Sequence, residues 1–127
     1  MKPIITLAAI TALSTLVTFA APPANQLLED KARAEHNFNE VNAKLTAVTK
    51  KLSSKFQEPE AKAFAKAQAS WTTWRDTEAE YIAHRYAPTK GSSPEIQTLA
   101  FDAIKTGNKI QITESRLKQL QVELSNR

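Results

Sequence analysis

Cysteine is absent from the 127 residues, which excludes disulfides, thiol chemistry and thiolate metal sites and leaves the fold to hold by packing alone. Glycine is scarce, with only Gly91 and Gly107 present. The chain has no Gly-rich phosphate loop, no G-x-S-x-G nucleophile elbow and no H-E-x-x-H metal pair. Its two histidines, His36 and His84, are a small stock of bases and ligands. No segment alternates apolar and polar residues as a half-buried strand does. These gaps speak against an enzyme and imply no cofactor.

One long uncharged run is present, and it lies at the start. Met1-Lys2-Pro3 is a short segment with one positive charge, and Ile4 to Phe19 carries no charge at all. Thr18-Phe19-Ala20 then places small side chains at the −3 and −1 positions of a signal-peptidase site. The reading is a secretory signal over residues 1–20, cut after Ala20, with residues 21–127 as a single domain in a periplasm or outside the cell. A bilayer span needs about 20 predominantly apolar residues, and this run is shorter, so no stable membrane insertion is expected once the signal is removed.

The rest divides into three stripes of helical periodicity separated by breakers. Leu27, Ala34, Phe38, Val41, Leu45, Val48 and Leu52 recur at spacings of three, four or seven, interrupted by Lys31. Asn25 is the expected N-cap of this first helix, placed at about 25–54. Pro59 suits the first turn of a second helix at about 59–87. Its stripe runs through Phe64, Ala67, Trp71, Trp74, Glu78 and Tyr81. Ser93-Pro94-Glu95 is a strong helix start for a third, at about 94–125, carrying Leu99, Ala103, Thr106, Ile110, Thr113, Leu117, Leu120 and Leu124. Gly107 inside it marks a place for a kink or break. The fold class is all-α, an antiparallel bundle or hairpin of three long helices. Such wide apolar faces on a short chain leave a helical homodimer open.

Candidate chemistry is thin. Asp76, Glu80 and His84 share a helical face at four-residue spacing, as do His36 and Glu40, but such groups are most often solvated or locally paired, and no metal site is assigned. The formal charge of +4 is spread over all three helices, with Lys50, Lys51 and Lys55 the one local cluster, so a nucleic-acid partner is not expected. Gln68, Trp71, Arg75 and Glu78 are the informative set. They fall on one side of the second helix, where an apolar face is needed. Polar groups there require partners, and an Arg75–Glu78 pair at i,i+3 supplies part of the need. The simplest reading is a polar clamp that fixes helix register.

Those same residues carry a resemblance. Gln68-x-x-Trp71-x-x-Trp74-Arg75-Asp76-x-Glu78 is similar to the A-Q-x-x-W-x-x-F/Y-R-D-x-E signature of the LprI-type lysozyme-inhibitor N-terminal domain family. Ala34-Glu35-x-x-Phe38-Asn39-x-x-Asn42-x-x-Leu45 resembles its A-D-x-x-L-N-x-x-Y-x-x-L opening, Gly91-Ser92 its G-G-S loop, and Thr113-x-x-Arg116-x-x-x-Leu120 its closing T-x-x-R-x-x-x-L. The family's two usual cysteines are replaced by Ala79 and, on one alignment, Phe101; its tyrosine is Asn42 and its first loop glycine is Lys90. Thr106-x-x-Lys109 keeps the closing motif's spacing from the loop, whereas Thr113-x-x-Arg116 matches better in residue type. The resemblance implies an exported helical domain that inhibits a lysozyme by occluding its cleft, without catalysis. Lys90, Gly91 and Ser92 form the candidate partner-binding loop. The alternative is an envelope binding or structural protein whose partner is another protein or the cell wall.

Overall fold

The computed structural model describes residues 23–127; the expected signal segment and its cleavage site at Ala20 lie outside the described residues. Three helices account for almost all of the rest: α1 over Ala24–Ser53, α2 over Glu58–Tyr86 and α3 over Pro94–Ser125. No strand occurs among the described residues. Their limits follow from local chemistry. Pro59 sits in the first turn of α2 with Glu58 and Glu60, whose charges suit the helix N-terminus. Ser93 caps α3, its hydroxyl accepting from the Ile96 amide at 3.3 Å, with Pro94 immediately inside. Asn25 does not cap α1. Pro23, in an extended conformation, holds that position two residues earlier, and Asn25 already lies in the helix. α3 runs unbroken through Gly107.

Pairs along the helices give the topology. Lys31 bonds Asp102 at 2.7 Å near the start of both α1 and α3, and further along Lys109 lies over the Phe38 ring at 4.5 Å. α1 and α3 are therefore parallel neighbours. α2 runs against both: Arg127 reaches Glu60, Arg116 reaches Gln68, Lys109 reaches Asp76 and His84 packs edge-on against Phe101. The chain goes up, down and up again, and α3 is the strut on which the other two pack.

The apolar core lies between α1 and α3, where Val41, Leu45, Leu52, Leu117 and Leu120 are buried, with Phe38, Val48, Phe64, Trp71, Ile110 and Leu124 packed around them. Each such side chain contributes about 1.5–3 kcal/mol when fully buried. Phe56 and Phe64 meet edge to face at 5.1 Å and close the end where α1 turns into α2. Lys31, the polar interruption of the first stripe, is accounted for by Asp102. The second stripe needs correction. Ala67, Trp74 and Tyr81 are exposed, and the face of α2 turned inward carries Phe64, Gln68, Trp71, Arg75, Ala79 and Ala83. Two small alanines and a guanidinium occupy positions that a larger apolar residue would normally fill, which is why the aromatic line on the outer face reads as the core.

Candidate functional site

Arg75 is the centre of the molecule's polar interior. Its residue is 4 % exposed, so its charge has to be matched inside the protein. Three groups from three helices do this. Nε donates to Asp76 Oδ1 at 2.9 Å on α2 itself, and Nη1 donates to Asn42 Oδ1 at 3.0 Å on α1. Nη1 also lies 3.5 Å from Thr113 Oγ1 on α3. The guanidinium sits between the rings of Phe38 and Trp71, at 5.0 and 5.4 Å from their centres. Thr113 is fully buried, and its hydroxyl donates back to the Lys109 carbonyl at 2.6 Å. Asp76 takes a second cation, Lys109, at 3.2 Å. Burial alone would raise the Asp76 pKa, but hydrogen bonds and charge from Arg75 and Lys109 outweigh it and hold the carboxyl below its ordinary range.

A second branch starts at Gln68. Its Oε1 accepts from Arg116 Nε at 2.9 Å and also from Arg116 Nη2, and its Nε2 donates to Thr49 at 3.3 Å. Arg116 Nη1 continues to Gln119 at 3.3 Å, and its guanidinium lies 5.9 Å from the centre of the Trp71 ring. Gln68 and Arg75 thus each bridge α1 to α3 from a position on α2. Few backbone contacts join α1 to α2 directly, so these side chains are the cross-links of that side of the bundle. Among the described residues, every buried side-chain nitrogen and oxygen has a hydrogen-bond partner.

The network gathers Gln68, Trp71, Arg75, Asp76, Thr113 and Arg116. It does not gather three other motif residues. The ion pair of Arg75 is with Asp76 and not with Glu78, which is half-buried; the guanidinium is turned inward toward Asn42 and Thr113. Asn39 is exposed on α1, and Trp74 is 51 % exposed. Both readings of the closing motif contribute, since Arg116 binds Gln68 and Lys109 binds Asp76. Sequence reasoning missed Asn42, Thr49 and Lys109 as partners. Asn42 and Thr49 stand seven residues apart on one face of α1 and are half-buried there, a polar spacing that signals a matching polar line on a neighbour.

The four-spaced acids of α2 have lysine neighbours on α3. Besides Asp76, Glu80 lies 3.8 Å from Lys105 and 3.9 Å from His84, and His36 on α1 lies 3.5 Å from Glu40. No group of three or more metal-ligating side chains occurs among the described residues.

The α2–α3 connector has a defined shape. Gly91 adopts a φ of 81°, a left-handed conformation that favours glycine, and Gln97 Nε2 donates to the Ser92 carbonyl at 2.8 Å, tying the turn to α3. Lys90 and Gly91 are exposed and Ser92 half-buried. Beneath the turn, His84, Pro88, Pro94 and Phe101 help line a mostly apolar depression of about 410 Å³. No helix among the described residues is long and apolar enough to cross a membrane.

The family profile of the lysozyme inhibitor LprI matches residues 20–120. No curated protein and no solved structure matches the chain.

Proposed function

The chain belongs to the lysozyme inhibitor LprI family, and on that premise we propose that it is an exported, non-catalytic protein that binds a lysozyme and obstructs its cleft. Residues 1–20 direct export and are removed after Ala20, and residues 21–127 are the working domain. The observation that carries this reading is the family match, which spans nearly the whole of that domain. Export is supported by the uncharged Ile4–Phe19 run and the small residues Thr18 and Ala20.

The binding element we assign is the turn Lys90-Gly91-Ser92. The polar residues of the family signature are mostly consumed in holding helices together, whereas Lys90 is exposed on a short connector whose shape is set by Gly91 and by the Gln97 bond. A lysozyme cleft carries two carboxylates, and a cation on a preorganised turn meets them with little ordering cost. The test is lysis of peptidoglycan by a panel of lysozymes with and without residues 21–127. Dose-dependent inhibition with a stoichiometric endpoint is expected, weakened by Lys90→Glu. Absence of inhibition across basic and acidic lysozymes would overturn the reading.

A further inference from the structure

A second surface, distant from the Lys90 turn along α2, carries chemistry that the inhibitor reading does not use. Trp71 and Trp74 stand three residues apart on α2 and border a groove of about 320 Å³ against α3, whose lining also includes Ile112. Facing them are Gln111, Ser115 and Gln119, all exposed and spaced four residues apart along one side of α3, a row about 12 Å long at 1.5 Å rise per residue. Arg116 closes the groove, held in place by Gln68 and donating to Gln119 at 3.3 Å. Trp74 remains 51 % exposed beside a row of neutral amides and a hydroxyl.

We propose that this groove binds a neutral N-acetylated oligosaccharide, with Trp74 stacking on the apolar face of a pyranose ring and the Gln111–Ser115–Gln119 row pairing with its hydroxyl and acetamido groups. Each element of the lining answers one property of such a ligand. Sugar rings present C–H faces that pack flat on an indole, and an indole combines large apolar area with a rigid plane. Glutamine offers both a donor and an acceptor on one planar amide, the complement of an acetamido group. The row is uncharged, and the single guanidinium in the lining is already oriented by Gln68, so the site makes no demand for an anionic ligand.

The test is titration of residues 21–127 with chitotriose, followed by tryptophan fluorescence in the absence of any lysozyme, so that its outcome is independent of the inhibitor reading. A saturable change in the emission of the wild-type chain is expected, weakened about tenfold or more by Trp74→Ala. Trp74 is half exposed and outside the Arg75 network, so that variant keeps its fold, checked by an unchanged helical circular-dichroism spectrum. Gln119→Leu, which keeps the size and removes the amide, should weaken binding while leaving both indoles as reporters. No saturable change at millimolar chitotriose, or a response that survives both substitutions, overturns the proposal. Loss of lysozyme binding on Trp74→Ala without any chitotriose response would assign the groove to a protein and overturn it equally.

Discussion

Arg75 shows how a charge is kept inside a small cysteine-free protein. Its guanidinium is enclosed by one carboxylate, one amide, one hydroxyl and two aromatic faces, so removing it leaves several groups short of a partner. Arg75→Ala is expected to cost about 2 kcal/mol, lowering Tm by roughly 8–16 °C for a domain of this size, while the variant still binds lysozyme wherever it remains folded. An equally stable variant that no longer binds would make Arg75 a contact residue instead. Asp76 sets the acid limit. Its folded pKa lies below the ordinary 3.8, so the stability it contributes is present above that value and lost as pH falls through the folded one. Thermal melts between neutral pH and pH 2 should show a drop below about pH 4 that is reduced in Asp76→Asn. Lys31 acts at the other extreme. Its hydrogen bond to Asp102 and that residue's charge raise its pKa above 10.5, so its contribution is lost only as pH rises beyond that, and with a third of each side chain exposed it is small.

At the scale of the helices, Gly107 is the clearest target. It lies in the uninterrupted α3, and a Cβ there would meet nothing within 4 Å, so Gly107→Ala should stabilise the protein by up to about 1 kcal/mol. A denaturant titration reads this as a higher midpoint at constant slope, and a lower midpoint would mean that the glycine serves a bend or a close neighbour. The start of α1 was misplaced by two residues, Asn25 for Pro23, but the starts of α2 and α3 were legible, because Pro59 and Ser93-Pro94 act within a turn of the boundary they set. The rotation of α2 was not. Trp74 and Tyr81 form an apolar line seven residues apart that is exposed, and the inner line relies on Arg75, Ala79 and Ala83. Only partners on other helices make that line suitable for burial, and Asn42 stands 33 residues from Arg75. The signature residues could be picked out as an oddly polar face, but which of them meet could not, because neighbouring Asp76 and distant Asn42 look no better than Glu78 until the helices are docked.

For the whole molecule, the proposed division of labour is between a polar interior that sets how three helices dock and an exposed turn at one end that would meet a partner. Charge constrains how that contact forms. The full chain is formally +4, and cleavage at the proposed site would remove Lys2 and lower this by one, so a basic lysozyme would not be steered in by long-range attraction. Association rates with such a lysozyme should therefore hold or rise as salt increases, measured by stopped-flow mixing, in contrast to the fall expected of oppositely charged partners. The most direct test follows backbone amide and indole NMR signals of residues 21–127 as a lysozyme is added. Shifts are expected to concentrate between Ala87 and Ser93, with the Trp71 indole and the amides around Arg75 and Thr113 unmoved. Shifts centred on Gln68–Glu78 and Arg116, with the turn silent, would contradict the account by making the signature residues the binding surface.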